Sequence, residues 1–228
     1  MIKIEKTEVV GWEHAIRGMR NPKNSWDKSD SYKTHIEDEQ TLETADYEFF
    51  VGDNDLKLMK TLANAGTDHR KYLRMINVYA DITAPLYWWK EYDTYKVGTV
   101  ANSCSTMHKI MDKEFTLDDF SHEHLICGLD DILKEIIVGL NAVRYVYINY
   151  EKYKEKGELN DVVKSKKDVW WNVIQLLPSS YNQKRTVMLN YEVLLNMYKS
   201  RKNHKLDEWR EFCEWCESLP YFMEFVEV

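Results

Sequence analysis

The sequence predicts an α+β fold, a small, mainly antiparallel sheet flanked by long helices. Two observations predict it. Short stretches with strand character occur at Met1 to Val10, at Tyr47 to Val51 and over the five residues from Val78, which are rich in β-branched and aromatic side chains. Against them stands a long region from Leu117 onward in which apolar residues recur at helical spacing almost without a break. The chain of 228 residues is long enough for one good-sized core, and nothing in it demands a second domain, so residues 1–228 read as a single domain.

Taken in order, Met1 to Val10 alternates weakly and suits an edge strand that Gly11 breaks. Trp12, Ile16 and Met19 then follow at helical spacing, and this helix should stop at Asn21-Pro22, because proline pushes its predecessor out of the helical region. Asn21 to Glu39 is polar and reads as a functional loop. Asp55 opens a helix with Leu56, Met59, Leu62 and Ala63 on one face, and Gly66 is its natural stop. The strand before Pro85 leads into an aromatic helix, with Thr83 as the N-cap and Pro85 in the first turn. A Gly/Thr/Asn/Ser/Cys stretch from Gly98 then reads as a polar loop, the kind of segment on which binding groups sit.

Leu125, Leu129, Ile132, Leu133, Ile136, Ile137, Leu140 and Val143 form a broad apolar stripe on a helix that extends to about Tyr153, ahead of Gly157. Lys164 to Leu177 reads as a further helix or a helix-to-strand passage, and Leu177-Pro178-Ser179-Ser180 makes a turn. Val187 to Lys199 and Leu206 to Leu219 are two closing helices around the polar knot Ser200 to Lys205.

Composition narrows the classes of function. A net charge of −7 opposes coating of a nucleic acid polymer, which needs a basic face against phosphates. No run approaches 18 apolar residues and MIKIEKTEVV lacks the apolar centre of a signal peptide, so the expectation is a cytoplasmic protein with no membrane partner. Fifteen Tyr and eight Trp against eight Gly suit aromatic-lined crevices or interfaces, although core packing alone absorbs them too. Cys104, Cys127, Cys213 and Cys216 show no disulfide framework, and Cys213-x-x-Cys216 is a lone pair in a helical pattern, so no metal site is expected.

There is no phosphate-binding glycine loop, dinucleotide fingerprint, nucleophile elbow or HExxH helix. What the chain does carry is a set of separated anchors: Ala84-Pro85 followed by Thr94 to Thr106, His69 ahead of them, and Leu177-Pro178, Asn190, Asn196, Arg201, His204 and Glu208 behind. In residue type and distance these resemble the flavin-dependent thymidylate synthases, in which a strand ending in Ala-Pro enters a helix that delivers a signature RHRxxSxNxxSxR. The resemblance covers roughly Asp55 to His108 and Leu177 to Pro220, more loosely Arg17 and Arg20.

The resemblance implies FAD as cofactor, held by His69, Lys96, Thr99, Asn190, Asn196 and His204. It implies Arg201 and Cys104 as catalytic groups, and Ser105, Arg201 and Glu91 toward a pyrimidine nucleotide. Methylenetetrahydrofolate and NADPH enter only if the family's reaction is kept. It further implies a homotetramer with sites shared between chains, and it makes the loop from Asn21 to Glu39 a candidate lid.

Several positions depart from that pattern. Thr94 and Tyr95 stand where the signature opens with Arg and His, Ala101 replaces its Asn, Cys104 its serine and Thr106 its closing arginine. Ile174 and Glu192 replace two further arginines. Each such loss removes a bidentate, permanently charged fork for phosphate. Cofactor-side anchors survive better than substrate-side ones, which leaves two expectations: a divergent flavin-dependent methyltransferase acting in pyrimidine metabolism, or a non-catalytic homologue serving as a ligand-binding or protein-interaction module.

Overall fold

The computed structural model describes residues 1–36, 46–159 and 162–226. The loop read from Asn21 to Glu39 therefore extends at its end, 37–39, outside the described residues. The fold is α+β, a small antiparallel sheet with helices around it. Strand β1 is Lys3–Val10, β4 is Asn77–Pro85, β5 is Thr99–Ser103 and β6 is Asn182–Asn190, and they pair in the order β1-β4-β6-β5. A second, two-stranded sheet pairs β2 (Tyr32–Ile36) with β3 (Asp46–Phe50), antiparallel, with Tyr32 opposite Phe50 and Thr34 opposite Glu48. Edge placement suits β1, whose weak alternation buries little.

The chain groups into two compact units. One comprises residues 1–3, 82–94 and 102–185, the other 4–81, 95–101 and 186–228. The first holds α3 (Leu86–Tyr92), α4 (Leu129–Ile148), α5 (Tyr150–Lys156) and α6 (Lys166–Leu176). Its core joins Leu133, Ile137 and Leu140 of α4 to Val173 of α6, Phe115 and Phe120. Ser165 and Asp168 close a reciprocal capping box that starts α6. The second unit holds α1 (Trp12–Arg20), α2 (Asp53–Asn64), α7 (Tyr191–Arg201), α8 (Asp207–Glu217) and α9 (Met223–Val226). Tyr191 is fully buried there, edge-on to Trp12 at 5.3 Å and to Phe222 at 5.7 Å. No helix among the described residues is long and apolar enough to cross a membrane.

Several element expectations are corrected. Tyr32–Ile36, read as part of a polar loop, is a strand because it pairs with the aromatic β3. The polar stretch after Gly98 is strand β5, an edge strand whose side chains are mostly exposed, so polarity there does not mark a loop. Val187 to Asn190 belongs to β6, not to a helix; an inner strand of the sheet reads as a continuous apolar run. Strand β4 runs through Pro85, which is itself the N-cap of α3 at φ −67° and ψ 151°, so Thr83 lies in the strand and caps nothing. The helix expected from Leu117 starts only at Leu129, and Leu125 precedes it. Of its stripe Leu133, Ile137 and Leu140 are buried within the chain, while Leu129, Ile132 and Ile136 lie at its surface.

Candidate functional site

Helix α7 leaves β6 with no linker, and Asn190 makes the transition. Its backbone is extended, its Oδ1 accepts the Val193 N–H at 3.0 Å, and it caps the helix. The segment 96–99 comes against this cap. Gly98 sits at φ +80°, and a Cβ there would lie 2.6 Å from Asn190 Nδ2, so both the conformation and the closeness call for glycine. Thr99 donates its hydroxyl to the Tyr95 carbonyl and so holds the same turn.

At its far end α7 delivers Arg201, half-buried, whose Nε donates to Tyr95 Oη at 2.9 Å. Its guanidinium carbon lies 4.8 Å from the centre of the Trp209 ring, and the Tyr95 and Trp209 rings meet edge to face at 6.1 Å. His204 packs edge-on against the same Trp209 at 6.4 Å. Its Nδ1 accepts the Leu206 N–H at 3.2 Å, which leaves the proton of the neutral ring on Nε2. Tyr95, Trp209, Arg201 and His204 thus form one cluster. It orients a cationic fork, which can position a carbonyl, carboxylate or phosphate oxygen. Asn196 of α7 and Lys96 are exposed.

His69 is also exposed, in the turn after α2, with its backbone N–H on the Gly66 carbonyl at 3.0 Å. It lines a cleft of about 1430 Å³ together with Asn21, Lys28, Asn54 and Lys71. None of Asn190, Asn196, Arg201 or His204 lines that cleft. Next to it Arg70 reaches α7 and pairs with Glu192 at 2.9 Å. Glu192 is buried, and its Oε2 has no hydrogen-bond partner among the described residues. Glu192 stands where the resemblance puts an arginine of the family, and here the acid lies on α7 and its guanidinium partner in the turn after α2.

The other compact unit carries the remaining candidates. Cys104, just past β5, is exposed; its N–H donates to the Lys184 carbonyl at 2.8 Å and its carbonyl accepts from Gln183 Nε2 at 2.9 Å. Ser105 Oγ accepts the N–H of Met107 at 3.2 Å and of His108 at 3.1 Å, so its hydroxyl closes a turn. Both line a cleft of about 490 Å³ with Tyr181 and Gln183. Burial first, then the charges of Asp119 and Cys104, push the Tyr181 phenol above its ordinary range. Glu91 sits half-buried in α3, and its carbonyl accepts both the N–H and the hydroxyl of Thr94, at 3.1 and 2.7 Å.

Sequence reasoning missed three partners. Tyr95 entered only as a lost histidine, and Trp209 not at all, although an aromatic eight residues after Arg201 across a helix–turn–helix was a readable signal. Arg185, stacked 4.1 Å over Trp89 and paired with Asp93 at 2.7 Å, left no local signal, because its partners are some ninety residues away.

No family model matches the sequence, and no curated protein matches it. Solved structures do. Thymidylate synthase X from Helicobacter pylori, crystallised with FAD and dUMP, has a TM-score of 0.64 at 12% identity, over 99% of this chain and 97% of that one. A second structure of the Helicobacter pylori enzyme, also with FAD and dUMP, gives 0.63 at 13% identity over 98% and 97%. The UMP/dUMP methylase PolB from Streptomyces cacaoi, bound with 5-Br dUMP, gives 0.54 at 12% identity over 100% and 95%. The chain therefore has the fold of these proteins.

Proposed function

We propose that this chain is a nucleotide-binding protein that uses the thymidylate synthase X fold to hold FAD and a pyrimidine nucleotide. The observation that carries the reading is the likeness over nearly the whole of both chains to a protein crystallised with FAD and dUMP. The side chains present fit a flavin: His69, Lys96 and Asn196 are exposed donors, and the His69 cleft of about 1430 Å³ exceeds what a small ligand needs. On this reading His69, Lys96, Asn196 and His204 hold the flavin, with Thr99 and Asn190 shaping the backbone around it. Bound flavin supplies hydride. Arg201, held by Tyr95 and Trp209, orients the pyrimidine, and Cys104 and Ser105 with Glu91 serve the substrate side.

Because the His69 cleft and the Arg201 cluster have separate linings, the reading includes a homotetramer in which copies of the chain complete one another's sites. With methylenetetrahydrofolate and NADPH the reaction would be methyl transfer to the pyrimidine.

The test is direct. Purified protein is expected to be yellow or to take up FAD, with a thermal stabilisation of about 2.7 kcal/mol at a hundred times the dissociation constant. His69→Ala and Asn196→Ala should each abolish the flavin spectrum. A colourless protein that takes up no FAD overturns the reading.

A non-catalytic binding module is the second reading. It is favoured by the use of Asn190 and Ser105 as helix and turn caps and by Thr106 and Ile174 in place of arginines. FAD uptake without methyl transfer, in the presence of both co-substrates, would select it.

A further inference from the structure

Apart from the groups discussed so far, the larger unit has a second cleft, of about 360 Å³, between α1 on one side and the paired strands β2 and β3 on the other. It shares only Arg20 with the lining of the His69 cleft. Its walls carry three aromatic side chains, Trp26, Tyr32 and Phe49. Trp26 and Tyr32 are 50% and 58% exposed, and the strand register puts Phe49 with Lys33 on one face of the β2–β3 pair and Tyr32 with Phe50 on the other. Tyr32 is held flat by stacking on Phe50 at 5.4 Å, and Trp26 is fixed by its indole N–H on Asn21 Oδ1 at 2.8 Å. Within the cleft lining the Trp26 ring, with Phe49, is thus the one preset for a planar partner.

Charge in the cleft is positive although the chain as a whole is at −7. Arg20 is matched by the buried Asp55 beneath it. Lys33 faces Glu13 across the rim at 3.7 Å, with both side chains more than half exposed. Arg17 of α1 is exposed and lines the same wall. An anion entering here meets Arg17 first and competes with Glu13 for Lys33.

We infer that this cleft binds a small planar aromatic anion, a one- or two-ring compound bearing a carboxylate or phosphate, stacked on Trp26 beside Phe49 and paired to Arg17. The site stands on its own lining and does not depend on flavin binding. Its volume matches such a compound and is at the low end for ligand pockets.

The experiment follows the Trp26 indole resonance of nitrogen-15-labelled protein, assigned by its loss in Trp26→Phe, during titration with 2-naphthoate, 2-naphthamide, uridine monophosphate and inorganic phosphate. A saturable shift with 2-naphthoate or uridine monophosphate is expected, and whichever saturates first identifies carboxylate or phosphate as the anion. The neutral amide and Arg17→Gln should each weaken the response about tenfold, since each removes one side of a charge-assisted contact. Glu13→Gln should tighten it, because the competing carboxylate is gone. Arg17 and Glu13 are exposed, so an unchanged spectrum elsewhere verifies folding. The proposal is overturned if amide and carboxylate act alike, if Arg17→Gln changes nothing, or if neither ring anion saturates by about 10 mM.

Discussion

Asp55→Asn is the sharpest probe of how the second unit holds together. The Asp55 side chain is fully buried and accepts from Arg20 Nε at 2.6 Å, from Ser29 Oγ at 2.6 Å, from Ser31 Oγ at 2.7 Å and from the N–H groups of Asp30 and Ser31 at 3.2 Å. Asp30 returns the favour by accepting the Asn54 and Asp55 N–H groups at the start of α2. The amide keeps the size but loses the charge, so Arg20, itself 4% exposed, becomes a buried cation without its counterion. Breaking a buried pair in this way costs about 3–5 kcal/mol. For a chain of this length that is a fall in Tm of about 6–20 °C.

The effect should depend on pH. Burial raises the Asp55 pKa, but hydrogen bonds from Ser29, Ser31 and Arg20 outweigh it and hold the carboxyl below its ordinary 3.8. A depressed folded value means that the stabilisation is complete above the unfolded value and is lost as pH falls through the folded one. Urea unfolding of wild type and Asp55→Asn should therefore differ fully at pH 7 and converge only below about pH 4. A loss under about 1 kcal/mol at pH 7, or a gap that does not narrow in acid, would refute the reasoning.

Three further outcomes are expected. Gly98→Ala forces a side chain into the left-handed region and against Asn190 Nδ2, which disturbs the α7 cap, and should cost about 2 kcal/mol in urea unfolding; no loss would mean that the 96–99 turn is not pressed on the cap. Trp209→Ala removes the ring faces under Arg201 and His204 and should destabilise by about 3–5 kcal/mol, whereas Arg201→Lys, which keeps charge but not the flat fork, should cost about 1 kcal/mol, both read by thermal unfolding. Thiol titration should find Cys104 and Cys127 reacting at once and Cys213 and Cys216 only on unfolding, because burial and then nearby glutamates raise the Cys213 thiol to about 11, and burial pushes Cys216 up as well.

Elements with a local cause were legible in the sequence. Gly11 and Asn21-Pro22 bracket α1, Gly66 follows α2, and the strand before Pro85 stands where its residues put it, while 166–176 takes the helical of its two readings. Strands β5 and β6 were not legible, because one is polar at a sheet edge and the other an apolar run that fits helix or strand equally. The likeness in fold to thymidylate synthase X was visible through spaced anchors, since spacing survives when the residues between anchors change.

Within the candidate site, Arg201 and His204 were named through the resemblance, and both pack against Trp209. That Tyr95, a substituted position, would hold Arg201 was not readable, and neither was the exchange of charge between Arg70 and Glu192. The sequence by itself determined the fold class, the ends of α1 and α2 and the residue types available for chemistry, those helix ends being set by interactions within a few residues. Only the tertiary structure decided which side chains meet, because those pairings join residues about a hundred positions apart and depend on strand pairing and helix packing that no local pattern encodes.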